Sequence, residues 1–375
     1  MNKGFYLSLL MGKFNADPVP QAVIDAMTDV QVVSTVGAQT GFELKFTVGK
    51  SSTISTNLLP SGFFEPRTRV ILGITVNGTA DVIMDGIITE QSLAPSSDPG
   101  KSVLTVTGLD LTALMDFIDL TGFPYPALPA FAIVDLILAK YLPFGVIPLV
   151  IPNILSMIVN PLERFALQKG TDFQYVSHLA ARFGYVFHLD PGPKIGKSIA
   201  YWGPDISSFA SPQRPMTINM DSATNVESLN FSYDGLLPRQ YIVTILEQHT
   251  GIPIPIPVPN IDLLKAPLAK HAPTPIKIEI LTDVANKNPI EAALIGFGAL
   301  LKTSDCITGS GSLDVNRFGS VLKARRKAQV RCAGASYDGL YYVKSVTHSI
   351  KRGEYKQSFT LARGGYGSSV STVTI

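Results

Sequence analysis

Two short stretches carry the residue types that cradle phosphate in nucleotide-binding loops: Gly49-Lys50-Ser51 and Gly100-Lys101-Ser102. A P-loop needs another glycine five positions before the one that precedes the lysine, so that backbone amides can wrap the anion. Leu44 holds that place in the first stretch and Pro95 in the second, and both read as hairpin turns. His178, His188, His249, His271 and His348 are scattered, with no i, i+4 pair and no HExxH pattern to ligate a metal. No serine has glycines two residues away on both sides, so the nucleophile-elbow geometry is missing. Cys306 and Cys332 lack metal-type spacing and are too few for a disulfide framework, so reduced, buried thiols are expected. A glycosidase carboxylate pair leaves no sequence signature, but the acidic residues here fall mostly in turns and caps. No catalytic group, cofactor or metal is expected, and the chain reads as a non-enzyme.

The densest charge run is Lys323-Ala324-Arg325-Arg326-Lys327, ending near Arg331. A charge run is ordinarily a solvated or subunit-facing strand. The sharper expectation is that Lys323, Arg325, Arg326, Lys327 and Arg331 line a passage or meet an acidic partner. Single-stranded nucleic acid would want aromatic residues interleaved with the basic ones, and here they are absent. The 31 basic and 29 acidic residues also leave a net charge of only +2, with no broad pull toward nucleic acid or anionic lipid.

The elements that must position these residues are mainly strands. At 375 residues the chain is long enough for two or three domains. Its apolar fraction of 46% can bury real cores, whereas charged residues make up only 16%, so much of the exterior is expected to be covered by partners. Runs at 31–34, 42–48, 69–76, 82–89 and 103–107 are rich in β-branched and aromatic residues. Turn signals such as Asn77-Gly78 and Asp98-Pro99-Gly100 separate them. The N-terminal Phe5 to Met11 run follows one lysine and precedes no small-x-small site, so a first strand is expected rather than a signal peptide.

Residues 116–215 change character. Phe131 to Leu142 has helical spacing and stops before Pro143. Thr171 caps a second helix, Gln174 completes a capping box, and Gly184 ends it. Strands over 185–189 and 199–202 follow, which makes a small α/β domain. The very apolar 129–159 stretch holds Asp135 and Lys140, and prolines at 143, 148 and 152 cut it too short to span a membrane as a helix. Residues 216–375 return to strands, interrupted by a Pro-rich loop at 250–275 and a helix at 288–302. Ile252 to Pro259 alternates Ile or Val with Pro, so it cannot be a central strand and is expected as polyproline II. The helix takes Asn288 as its cap and Pro289 at its first position, with Ile290, Ala293, Leu294, Phe297, Leu300 and Leu301 as its buried stripe.

The two β regions look like duplicates. Asp85-Gly86-Ile87-Ile88, Ser92-Leu93, Gly100 and Thr107 have counterparts at one constant offset in Asp338-Gly339-Leu340-Tyr341, Ser345-Val346, Gly353 and Thr360.

The most informative region runs from Gly309-Ser310-Gly311-Ser312-Leu313-Asp314-Val315 through Arg317-Phe318-Gly319 and Tyr337-Asp338-Gly339-Leu340-Tyr341-Tyr342 to Lys351-Arg352-Gly353-Glu354-Tyr355. It resembles the phage late control protein D family, the central baseplate hub of contractile phage tails and related injection systems. Gly170-Thr171-Asp172-Phe173, Leu59-Pro60-Ser61-Gly62-Phe63-Phe64 and Met84-Asp85-Gly86 extend the resemblance over nearly the whole chain. It implies a mainly β fold of two tail-tube-like antiparallel β-barrels plus a small peripheral α/β domain. The expected division is 1–115, 116–215 and 216–375.

The resemblance further implies a homotrimer that adapts a three-fold spike to a six-fold inner tube. A spike protein would lie below, a tube or tube-initiator protein above, and baseplate wedge proteins around, with assembly in the cytoplasm. The sequence stops soon after Gly364-Gly365-Tyr366-Gly367, so the spike is expected as a separate chain. The alternatives are a cell-wall hydrolase, which needs a carboxylate pair or metal in a cleft, and a membrane-docking component using 129–159.

Overall fold

The computed structural model describes residues 4–13, 15–98, 100–152, 166–204, 212–246, 250, 252–259, 268–271, 274–281, 289–303 and 305–368. It is mainly β, with an α/β insertion. The first β unit holds β1 (Phe5–Gly12), β2 (Met27–Thr35), β3 (Gly41–Val48), β4 (Arg69–Val76), β5 (Thr79–Ala94) and β6 (Ser102–Asp110). Their alternation is what makes them half-buried strands: in β3, Phe42, Leu44, Phe46 and Val48 point into the core while the residues between them do not. Asn77 and Gly78 both take positive φ, 50° and 81°, and close the β4–β5 hairpin in two residues.

The α/β domain follows, with α1 (Ala130–Ala139), β7 (Val146–Val150), α2 (Asp172–Arg182), β8 (Tyr185–Pro191) and β9 (Ser198–Pro204). Its sheet order is β8-β9-β7, with β9 antiparallel to β8 and parallel to β7. Strand β7 comes from the apolar stretch that sequence reading left unassigned; residues 153–159 of that stretch lie outside the described residues. The capping box on α2 is present: the Gln174 amide N–H donates to Thr171 Oγ1, and the Thr171 N–H donates back to Gln174 Oε1. Gly184 ends the helix at φ 67°. Replacing Thr171 with alanine is expected to cost about 1 kcal/mol, measurable as a lower urea midpoint for loss of the Trp202 fluorescence signal. Trp202 is fully buried in this domain, and its indole N–H donates to Val176 O at 3.3 Å.

The second β unit holds β10 (Gln213–Thr217) and β11 (Ser228–Tyr233), then an insertion, then β15 (Ile307–Asp314), β16 (Lys327–Arg331), β17 (Gly339–Lys351) and β18 (Glu354–Arg363). The insertion contains β12 (Arg239–Leu246), β13 (Pro253–Pro257), β14 (Lys277–Leu281) and α3 (Pro289–Lys302). Its small core of Tyr241, Val243, Ile245, Val258, Ala292 and Leu300 is separate from the main one. Asn288, the expected cap of α3, lies outside the described residues, as do the side chains of Ile290, Leu294, Phe297 and Leu301.

The polyproline II expectation for 252–259 is corrected, since β13 pairs with β12 as an antiparallel edge strand. The alternation makes this possible. The Val258 N–H donates to Tyr241 O at 2.8 Å, so in a pleated strand the amides of Ile256 and Ile254 face β12 too. Pro253, Pro255 and Pro257 then turn their donor-less nitrogens outward, where an edge strand needs no N–H.

Both β units belong to one 13-stranded sheet, ordered β11-β15-β18-β17-β2-β3-β6-β5-β4-β1, with β10 and β16 branching from β17 and the short pair Asp17–Pro18 flanking β1. One hydrophobic cluster runs under both units.

Candidate assembly surface

The sheet is continuous because β17 changes partners. Its first residues, Gly339 to Tyr342, pair with β16. Its second half, Ser345 to Lys351, pairs antiparallel with β2 from Thr35 to Asp29. That ladder is the joint between the units. Val346 and Ile350 from one side and Val30 and Val32 from the other are buried in the common core. Phe5 meets the Tyr355 ring edge-on at 5.4 Å.

The basic run sits beside this joint. Lys323 forms an ion pair with Asp81 of β5. The Arg325 side chain is only 5% exposed; it donates to Ser34 Oγ at 3.2 Å and Thr35 O at 3.1 Å, and lies 3.6 Å from Asp190 of β8. Burial works against the Asp190 carboxylate, but the His188 hydrogen bond and charge, with Arg325 and Arg326, hold its pKa below the ordinary value. Lys327 is buried, which lowers its pKa, and Arg331 donates to Gln329 Oε1 at 3.0 Å. Arg326 alone among the five is exposed. Lys323 and Arg325 thus connect the second unit to the first unit, and Arg325 to the α/β domain as well.

A further tie was missed by sequence reading. Arg69 donates to Asp85 through Nε at 2.8 Å and Nη2 at 2.7 Å, and Nη2 also reaches Gly196 O at 3.2 Å. The Ser198 hydroxyl donates to the same carboxylate at 3.2 Å. This buried cluster fastens β4 and β5 to the start of β9. A signal was available: Asp85 interrupts the apolar run Ile83-Met84 and Ile87-Ile88, and a carboxylate buried in such a strand requires a partner. A second network closes the joint. Tyr355 Oη lies 2.7 Å from His348 Nδ1, and Gln357 Nε2 lies 3.3 Å from the same nitrogen. Gln357 is fixed by exchanging two bonds with the Leu322 backbone, at 2.9 and 2.8 Å.

The two units have the same strand order. The first reads β2-β3-β6-β5-β4-β1 and the second β11-β15-β18-β17-β16-β10, each strand matching one of the same rank in its own unit. The hairpins β5–β6 and β17–β18 also share a bulge, between Ile88 and Glu90 and between Val343 and Ser345, opposite Thr107 and Thr360 respectively. The bulge corrects the sequence alignment. Glu90, not Ser92, is the counterpart of Ser345, a slip of two residues that preserves the face because side chains alternate with period two. One difference remains: β4 pairs antiparallel with β1, whereas β16 pairs parallel with β10.

Open edges are distributed unevenly. Proline occupies the edge strands Asp17–Pro18, β7 (Pro148), β10 (Pro215) and β13 (Pro253, Pro255, Pro257), a placement that blocks further pairing. Strand β11 pairs only with β15, and the Glu90–Ala94 half of β5 only with β6, among the described strands. Neither contains proline. Leu93 and Tyr233 on these two edges are 49% and 46% exposed.

Among the described residues no group of three or more His, Cys, Asp or Glu is placed to hold a metal, and no helix is long and apolar enough to cross a membrane. Cys306 is buried, which raises its pKa, while Cys332 is half-buried; both are free.

A strand order of this kind defines a class. The chain has the fold of phage tail proteins and of a type VI secretion system component. A tail protein from Neisseria meningitidis matches with a TM-score of 0.61 at 14% identity, over 97% of this chain and 98% of that one. A 43 kDa prophage tail protein from Shewanella oneidensis matches at 0.59 and 14% identity, over 96% and 98%. The Francisella PdpA-VgrG complex contains a chain that matches at 0.61 and 10% identity, over 99% of this chain and 54% of that one. No family model and no curated protein sequence matches.

Proposed function

We propose that this chain is a structural hub of a contractile tail or injection-system baseplate, a non-enzymatic homotrimer that adapts a three-fold spike to a six-fold inner tube. The observation that carries this reading is the pair of units with the same strand order in one continuous sheet. Three copies then present six near-equivalent units on one face while keeping three-fold symmetry on the other. Heterologous contacts of this kind give a finite ring when the rotation closes. The likeness to tail and VgrG-containing structures supports the same setting. In this reading a separate spike protein binds below, a tube or tube-initiator protein above, and wedge proteins around, after assembly in the cytoplasm. Arg326 and Arg331 are the members of the basic run left to face the lumen or a neighbour.

Native mass spectrometry of the protein, alone and with the neighbouring spike and tube proteins, tests this. A trimer in either sample is the expected result; a persistent monomer or dimer in both would defeat the adaptor.

A further inference from the structure

Resting on the trimer reading, we propose that β11 of one copy pairs antiparallel with the Glu90–Ala94 half of β5 in the next copy, with Phe231 opposite Leu93. The template is the joint within the chain, where β17 pairs with β2. In the common strand order β5 corresponds to β17, and β11 corresponds to β2. One chain therefore contains one such joint and the two unmatched halves of a second.

The ladders give the register. Ser345 faces Thr360 as Glu90 faces Thr107, so His348 corresponds to Leu93. Val32 faces Phe42 on β3, and Phe231 faces Gly309 on β15. Phe42 and Gly309 in turn face the corresponding residues Gly108 and Leu361, so Val32 corresponds to Phe231. Within the chain His348 lies opposite Val32. Carrying that pair across places Leu93 opposite Phe231, Ser92 opposite Ser232 and Gln91 opposite Tyr233.

The exposure pattern agrees. His348 and Val32 are 5% and 0% exposed under the completed joint, whereas Leu93, on an edge with no partner strand, is 49% exposed. A leucine on a proline-free strand edge is an association hazard unless another strand covers it. Pro18, Pro148, Pro215 and Pro253 mark four of the other edges. Strand β14 is a further edge without proline, but only β11 holds the place of β2 in the common strand order, so a second copy of β11 is the occupant that fits.

Ser92→Cys combined with Ser232→Cys tests the register. Directly opposed residues of an antiparallel pair have Cα atoms about 4.5–5.5 Å apart, within the roughly 4.4–6.8 Å that a disulfide spans. Mild oxidation of the assembled double variant is expected to give covalently linked trimers on non-reducing gels. Each single variant is the control for reaction with Cys306 or Cys332. Ser92→Cys with Ser228→Cys places the second thiol four residues along β11, about 13 Å away, and is expected not to link. A trimer by native mass that never links through position 232 overturns the joint and leaves the hub standing. Linking through position 228 instead overturns the register, and absence of any trimer overturns both.

Discussion

Asp85→Ala is expected to destabilise the protein by about 3–5 kcal/mol, the cost of leaving one member of a buried ion pair uncompensated. The Asp85 side chain has no exposed surface and the Arg69 side chain is only 10% exposed. Two guanidinium bonds and the Ser198 hydroxyl converge on one carboxylate. Without it, Arg69 keeps its charge in an apolar setting with Gly196 O as its remaining hydrogen-bond acceptor. The double replacement Arg69→Met with Asp85→Leu removes the charge along with its partner and is expected to recover most of the loss. Urea unfolding of the three proteins measures both effects. A single variant within about 1 kcal/mol of the parent would show that water reaches Arg69. Because Gly196 and Ser198 belong to the α/β domain, the single variant is also expected to expose the 191–198 region to proteolysis first.

Acidification is expected to weaken the joint between the β units through His348. Burial, with a smaller contribution from the Lys323 charge, lowers its pKa from the ordinary value to about 4. The geometry gives the same answer. Gln357 presents its amide N–H to His348 Nδ1, because its oxygen accepts from the Leu322 N–H. Nδ1 therefore acts as an acceptor, also for the Tyr355 hydroxyl, and the neutral ring carries its proton on Nε2. The folded protein holds the imidazole neutral, whereas the unfolded chain protonates it below about pH 6.5. Stability from this group is therefore complete above about 6.5 and is lost as pH falls toward 4.

At about 1.4 kcal/mol per pKa unit, the fall from pH 7 to 5 costs about 2 kcal/mol, before most carboxylates titrate. His348→Phe keeps a ring in the space but leaves nothing to protonate. It is expected to lower stability at pH 7, by stranding the Tyr355 hydroxyl, and to flatten the slope between pH 7 and 5. Chemical denaturation at four pH values reads that slope. An unchanged slope in the variant would assign the acid sensitivity to other groups.

Much of this molecule follows from local chemistry. The alternation in β3 and β6, the Asn77-Gly78 turn, the Thr171–Gln174 capping box and the Gly184 stop depend on neighbours within a few residues, and each was readable in order along the chain. The spacing of proline over 252–259 correctly excluded a central strand. It could not tell polyproline II from an edge strand, because that choice depends on whether β12 offers acceptors on one side.

Long-range partners decided the rest. The basic run at 323–331 reads as a surface in sequence, yet Arg325 is buried because Ser34, Thr35 and Asp190, all distant along the chain, converge on its guanidinium. The repeat of Thr107 and Thr360 was visible, but the two extra residues that separate Glu90 from Thr107, compared with Ser345 and Thr360, were not, since which residues face each other is a property of a pair of strands. The sequence by itself determined two similar β regions with an α/β domain between them. Only the tertiary structure decided that they share one sheet, because pairing β2 with β17 closes a loop of some three hundred residues, and no local signal encodes a contact made across that distance.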